Sequence, residues 1–436
     1  MPGPLDGIRV LDFSRVLAGP WCAQMLGDLG AEVIKIESPE GDDVRFFGPP
    51  FEKGESAYFQ VTNRNKQSIV VDLKTDEGKA IARDLALKSD VIIENLRRGA
   101  MEKYGLGYEQ LKADNPGLIF CAVSGYGRTG PAAERAGYDF LIQAESGLMS
   151  LVGGADQPPT KVGTAITDMV AGQDAVAGVL AALFHRERTG KGQFVDIALL
   201  DSAVALLANQ GAGYLMTGER PKRLGNDHPS VCPYRPFETK DHPVALAIGA
   251  DRQFRKLAQV LGHPEMADDP RFASNGKRAE NRVALYEIME AAFMTRGRDE
   301  WLVDLHAAGL PAGAIRSVDQ VLEAPEVHAR DMVVEVEHSL LGKERIIGSP
   351  LKLSESPTSI RTAPPLLGEQ TEQVLTDVLG WDAAAAESCP VFLGQHEKLH
   401  WSTPDPAAAT STQEDINAAF DEAFNLLKHR IESELL

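Results

Sequence analysis

The sequence predicts an α/β protein: a main domain with a largely parallel sheet, followed by a smaller helix-rich α/β domain. Three observations point there. Short β-rich runs alternate with segments of helical period through the first half of the chain. The 436 residues exceed what one simple core serves, so more than one domain is expected. Apolar residues make up 43% and charged residues 25%, which suits a well-packed globular protein.

The elements follow in order. Ile8 to Phe13 reads as a strand, and Gly19-Pro20 opens a helix in which Trp21, Met25 and Leu29 share a face. Gly30 ends it, and Glu32 to Glu37 is the next strand. Ser68–Leu73, Asp90–Glu94, Leu118–Ser124 and Phe194–Leu199 read as further strands, with a helix over Asp76–Leu87. Asp168 to His185 is Ala- and Val-rich and free of Pro, so it reads as a buried helix; Leu200–Met216 reads as another. This large N-terminal part spans 1–216, and the Gly-, Pro- and Arg-rich stretch 217–243 reads as a linker or active-site loop. A small domain is expected over 244–324, with helices at Arg252–Leu261, Arg278–Met294 and Arg298–Ala308. A segment over 325–400 then carries β-like runs at Val333–His338 and Arg345–Ile347. In the tail, 401–436, Ile416, Phe420, Phe424, Leu427, Ile431 and Leu435 fall on one face of an amphipathic helix, which suits packing on the body or on a second subunit.

A net charge of −19 disfavours nucleic acid as a partner. No run of 18 apolar residues suggests a membrane span. The first residues resemble neither a secretory signal nor a transit peptide, so the expected compartment is the cytoplasm, or the mitochondrial matrix in a eukaryote. The four cysteines are widely spaced, so neither a disulfide framework nor a metal site is expected.

Three features carry candidate chemistry. Gly125, Gly127 and Gly130 spell G-x-G-x-x-G after a strand, but Pro131 follows and no long helix does. A Gly-rich loop at a strand end is the favoured reading over a dinucleotide site. Asp168 sits at the start of the long apolar helix. It is either an N-cap or a carboxylate nucleophile beside helix N–H groups that stabilise an oxyanion. Lys74, Arg97, Arg98 and Lys103 follow strands, where positive charge suits a phosphate ligand as well as a solvated loop. Signatures of serine hydrolases, P-loop proteins and zinc proteases are missing from the sequence.

The segments Leu5–Phe13, Arg15–Pro20, Leu26–Glu37, Asn63–Ile69, Ser124–Gly127, Ala136–Asp139, Arg188–Gly192, Gly225–Pro229 and Pro365–Glu369, with the Asp168 segment, resemble class III CoA-transferases of the CaiB/BaiF type. The resemblance spans about 5 to 380. It implies a Rossmann-like large domain completed by C-terminal residues, and two interlocked ring-like subunits. It also implies coenzyme A exchange between an acyl-CoA and a free carboxylic acid, with no metal and no permanently bound cofactor. Asp168 would be the covalent nucleophile. Leu17, Ala18, Leu73, Lys74, Asn95, Leu96, Arg97, Lys103, Tyr138 and Asp139 match the coenzyme A contacts. The texture is nearest the succinyl-CoA:dicarboxylate members, acting on acids such as itaconate, citramalate, glutarate or hydroxymethylglutarate. Leu17, where oxalate enzymes carry Gln, disfavours oxalate. Arg15, Arg45 and His228 are candidates for a second substrate carboxylate. Two alternatives remain: a 2-methylacyl-CoA racemase on the same fold, disfavoured because Tyr138 stands where its His would be, and, from another class, a non-catalytic acyl-CoA-binding protein, disfavoured by the retained Asp168.

Overall fold

A computed structural model describes residues 3–382 and 386. The main sheet is built from β1 (Arg9–Asp12), β2 (Glu32–Glu37), β5 (Lys66–Val70), β6 (Val91–Glu94), β7 (Ile119–Ser124) and β8 (Phe194–Ala198); the short pair β3 (Phe51–Glu52) and β4 (Glu55–Ser56) forms a hairpin outside it. The order across the sheet is β5-β2-β1-β6-β7-β8, and every pairing is parallel. Successive strands run outward from β1 one way and, after β6, the other way. This is the doubly wound arrangement, in which ligands sit beyond the carboxyl ends of the strands, where the order reverses. That point lies between β1 and β6.

Both faces are covered, which is why the strands are Val- and Ile-rich rather than alternating. One face carries α1 (Ala18–Asp28) and, after the short α2 (Ala57–Gln60), the other carries α3 (Asp76–Leu87), whose Thr75 hydroxyl accepts from the Gly78 N–H at 3.0 Å. Further along come α4 (Ala100–Lys103), α5 (Tyr108–Leu111) and α6 (Asp139–Glu145). The 24-residue α7 (Ile166–Thr189) joins α1 on the first face. It is long and apolar enough to span a membrane by length and composition alone. Here its face of Ala171, Ala175, Val179 and Ala182 is buried in the core with Trp21 and Val123. Gly172 permits the contact with α1: a Cβ there would come within 2.7 Å of the Ala18 carbonyl oxygen.

The single helix expected over 200–216 is two, α8 (Leu199–Ala205) and α9 (Ala208–Thr217), broken where Ala208 takes φ +42°. The stretch expected as a linker, 217–243, contains a strand. β9 (Tyr234–Phe237) pairs with β10 (Val244–Ala247), which pairs with β11 (Ala312–Ala314), all antiparallel. Around this small sheet pack α10 (Asp251–Val260), α11 (Asn275–Glu280), α12 (Arg282–Phe293) and α13 (Arg298–Ala307), with a core of Phe237, Phe254, Phe293 and Trp301. The helix expected over 278–294 is therefore also divided, at Asn281. Then follow α14 (Val318–Leu322), α15 (Pro325–His328) and the hairpin β12 (Val333–His338) with β13 (Gly342–Ile347). The chain returns to the main sheet. Val374 and Leu375 of α16 (Thr371–Asp377) are buried in the second core, and Arg361 donates to the Gly27 and Ala31 carbonyls at 2.9 and 3.1 Å. The tail over 401–436 lies outside the described residues.

Candidate active site

The loop leaving β1 and the loop leaving β6 meet at the reversal of strand order. Asn95 bridges them: its side-chain oxygen accepts from the Arg15 N–H at 2.8 Å, and its amide donates to the Arg15 carbonyl at 2.7 Å. Arg15 thus stands at the crevice that the topology reserves for a ligand. Its guanidinium has no hydrogen bond or ion pair among the described residues, and neither do the charged ends of Lys74, Arg97 and Lys103. Three of these four basic residues, Lys74, Arg97 and Lys103, are exposed, and Arg15 is half-buried. Arg15, Lys74 and Arg97 follow β1, β5 and β6 and Lys103 ends α4, with Glu40 the carboxylate that feels Lys74 and Arg15, so these cations are candidates for an anion cradle in an otherwise acidic protein. Leu73 and Leu96, beside Lys74 and Arg97, are partly buried against the core and offer apolar surface there.

Beneath the cradle lies a buried ionic network. Lys66 bonds Asp12 and the Asn63 amide oxygen, each at 2.9 Å, and burial draws its ammonium down to about 8. Lys35 bonds Asp42 at 2.9 Å and the Ser14 carbonyl at 2.8 Å. The Val16 N–H reaches Asp42 at 3.2 Å, and Val16 itself sits at φ +67°. A β-branched residue rarely takes that conformation, which costs about 1–3 kcal/mol.

Asp168 is the third residue of α7, not its cap. The N-cap is Ala165, which offers no capping side chain. The cap comes from another helix: Asp139 accepts from the Thr167 N–H at 2.9 Å and the Thr167 hydroxyl at 2.7 Å. Gln143, one turn on, donates to the second Asp139 oxygen at 2.7 Å and accepts from the Val162 N–H at 2.8 Å. The carboxylate of Asp139, expected to contact coenzyme A, is therefore engaged in holding the start of α7. Tyr138 beside it is 66% exposed and has an open face for a ligand.

The Asp168 carboxyl is half-buried and makes no hydrogen bond among the described residues. Burial, with the neighbouring Asp139 charge, pushes it up to about 7. Tyr58 faces the same two carboxylates, and burial together with their charge raises its phenol. No local pattern singles out Tyr58, which reaches the site from α2, far earlier in the chain. Leu17 and Ala18 are buried at the start of α1, whose first turn has no side-chain cap. Ala18 touches α7 at Gly172, one helical turn beyond Asp168.

Two of the candidates for a substrate carboxylate are occupied otherwise. Arg45 is buried in a bidentate pair with Glu37 at 2.6 and 2.8 Å, donates to the Pro365 carbonyl at 3.2 Å and lies over the Phe59 ring. The Nδ1 of His228 accepts from the Ser230 and Val231 N–H groups, both at 3.0 Å, as a turn cap. Of the three, Arg15 is the one whose side chain makes no hydrogen bond or ion pair among the described residues.

The Gly-rich loop is not a dinucleotide cradle. The Arg128 N–H is held by Asp196, and its guanidinium pairs with buried Glu94, which burial pushes up to about 7. Gly125 lies against Gly137, where a Cβ would come within 2.5 Å of the opposing Cα. That close approach delivers the chain to Tyr138 and Asp139. A cavity of about 880 Å³ lies at the opposite, amino end of the sheet. Its main cations are already engaged: Arg9 with Glu32, Lys88 with the Val378 carbonyl, and Arg361 with backbone carbonyls. No cluster of metal-ligating side chains occurs among the described residues.

Comparison with known proteins bears on this site. The profile of CoA-transferase family III matches residues 5–371. A succinate–glutarate CoA-transferase from Agrobacterium fabrum is 44% identical over 382 residues, covering 86% of this chain and 96% of that protein. An acetyl-CoA:oxalate CoA-transferase from Acetobacter aceti is 40% identical, covering 81% of this chain and 90% of its own. A crystal structure of a CaiB/BaiF family protein from Brucella suis superposes with a TM-score of 0.78 at 44% identity, covering 86% of this chain and all of that one. With that match across the sheet, the crevice and α7, the chain belongs to CoA-transferase family III.

Proposed function

We propose that this enzyme moves coenzyme A from succinyl-CoA to a second dicarboxylic acid, with Asp168 as the covalent nucleophile. One observation carries the reading. An Asp carboxyl with no hydrogen bond among the described residues stands in the first turn of α7, half-buried and facing Asp139 and Tyr58. Such a carboxylate is held back neither by a donor nor by an ion pair. The naming of the Agrobacterium fabrum relative supports the substrate pair.

The steps balance without any external reagent. The Asp168 carboxylate attacks the thioester carbonyl of succinyl-CoA; the C–S bond breaks, leaving a mixed anhydride and coenzyme A thiolate. The thiolate attacks the aspartyl carbonyl and expels succinate, giving an aspartyl-CoA thioester. The incoming carboxylate attacks that thioester, forming a second anhydride and releasing thiolate again. The thiolate then attacks the new acyl carbon, which frees the Asp168 carboxylate and the new acyl-CoA. Two thioester-level exchanges conserve the bond energy provided water is kept out.

Lys74, Arg97 and Lys103 would take the phosphates of coenzyme A, and Leu73 and the 95–97 loop its adenosine. Arg15 would meet the second carboxylate of the acid. Coenzyme A acts as a substrate here. The working form is a homodimer, as the family resemblance implies, and the cytoplasm is the expected compartment.

The test mixes the enzyme with succinyl-CoA and a panel of glutarate, citramalate, itaconate, hydroxymethylglutarate, oxalate and acetate. New acyl-CoAs are followed by mass, and the intermediate is trapped with hydroxylamine. Glutarate or another longer dicarboxylate should be the preferred acceptor, and the hydroxamate should lie on the peptide containing Asp168. Preference for oxalate or acetate would overturn the substrate reading. An unmodified Asp168 peptide would overturn the mechanism.

A further inference from the structure

We infer that Asp42, with Lys35, is a positioning residue for the reaction: it holds Val16 in its left-handed conformation and so sets the start of α1 against the helix that carries Asp168. The inference rests on the reading of Asp168 as the nucleophile and adds to it the device that fixes the opposite wall.

The loop from Ser14 to Leu17 is held at each of its first three residues. Lys35 takes the Ser14 carbonyl at 2.8 Å, Asn95 takes both the N–H and the carbonyl of Arg15, and Asp42 Oδ1 takes the Val16 N–H at 3.2 Å. The same Asp42 oxygen accepts from the Val44 N–H at 3.2 Å, and the other accepts Lys35 at 2.9 Å. Both charged side chains are fully shielded from solvent. A shielded ion pair is weak support for stability in itself, because desolvation offsets most of the attraction. What this pair does locally is define one backbone conformation.

That conformation is an unfavourable one. Valine avoids positive φ because its branched Cβ crowds the backbone, yet Val16 sits at +67°. Released from Asp42, the residue would relax to negative φ and swing Leu17 and Ala18, which follow immediately. Those residues cannot move independently of α7. The Ala18 carbonyl packs on Gly172 too closely for any Cβ, one turn from Asp168. The chain of contacts therefore runs from Asp42 through Val16 and Ala18 to the nucleophile's helix.

The test uses the full-length enzyme and the rate of hydroxylamine-trapped Asp168 adduct at saturating succinyl-CoA. Lys35→Met with Asp42→Ala removes both charges together, so neither is left alone. The trapping rate should fall by about tenfold or more. Adding Val16→Gly to that pair should return it to within about threefold of wild type, because glycine takes positive φ without strain. An ion pair that served stability alone would not be rescued by a glycine at 16. A double variant as fast as wild type, or a triple variant no faster than the double, overturns the inference. Should the double variant not fold, Val16→Pro decides: it keeps both shielded charges and their mutual bond, gives up the N–H that Asp42 accepts, cannot reach φ +67°, and should lose about tenfold or more in rate. A wild-type rate in Val16→Pro would overturn the inference too. Wild-type enzyme that carries no label on Asp168 would instead remove the nucleophile reading, whatever the variants do.

Discussion

One oxygen of Asp139 accepts both the N–H and the hydroxyl of Thr167, the residue just before Asp168. The contact anchors the helix of the proposed nucleophile, and burial together with the Asp139 charge keeps the Asp168 carboxyl basic. Asp139→Asn keeps an acceptor and removes the charge. Its pH profile of kcat/KM should show the ascending limb, expected near 7 in wild type, moved to lower pH. Asp139→Ala loses the anchor too, so its plateau rate should fall as well. Steady-state profiles from pH 5 to 9 check both.

Asp168→Asn should lower kcat by about a thousandfold or more and abolish the trapped adduct. It should also alter stability in a pH-dependent way. The folded carboxyl is raised from 3.8 to about 7, so the folded state holds this proton more tightly than the unfolded chain. Its contribution is fully present below about 4 and is lost as pH rises through 7. The Asn variant should therefore be more stable than wild type at pH 8, by about 1–3 kcal/mol, with the gain gone at pH 4. Thermal melts at the two pH values decide it.

Arg45→Ala should behave as a stability variant. It leaves Glu37 buried without its bidentate partner, at a cost of about 3–5 kcal/mol. Burial raises the Glu37 carboxyl, and Arg45, with Lys35 and Ser68, holds it below the usual carboxylate value; without Arg45 the burial is no longer offset. The remaining folded enzyme should lose dicarboxylate and monocarboxylate activity in equal proportion. A selective rise in the dicarboxylate KM would assign Arg45 to the substrate after all.

Lys74→Ala, Arg97→Ala and Lys103→Ala should each raise the KM for succinyl-CoA by about two- to tenfold at low salt, because their charged ends are exposed and screened. The KM for the free acid should not move. Raising ionic strength should shrink the effect. Arg15→Ala should do the reverse, raising the KM of the dicarboxylate more than that of acetate.

Where chain-local physics decides, the sequence was readable. The strand Glu32–Glu37 and the helix Asp76–Leu87 were legible to the residue, the first from its Val and Ile run and the second from Thr75 before an acidic first turn. The strand expected at 68–73 begins two residues earlier. Its first residue is Lys66, which no residue-by-residue scale would place inside a core; Asp12 and Asn63 make that burial tolerable. The short α6 went unread between Gly137 and the next glycine, although Asp139 and Gln143 stand one helical turn apart in it. The site divides the same way. Asp168 and the strand-end cations stood out by type and place. That Asp139 caps α7, that Glu37 claims Arg45, and that Tyr58 faces Asp168 depend on contacts between distant segments, which no local pattern carries.

The return of the chain to the main sheet has a consequence for how the enzyme is made. The outer strand β5 is met on its open edge by residues some three hundred positions later. Ser68 exchanges bonds with Gln370 through its N–H and its carbonyl, and the Thr371 hydroxyl accepts from the Val70 N–H. As the chain emerges from the ribosome, that edge must wait, unpaired, until the whole small domain has been synthesised. An unpaired strand edge invites strands from other chains. Fragments ending between Leu310 and Pro350 should therefore aggregate, and adding a peptide spanning Ser359 to Trp381 in trans should keep them in solution.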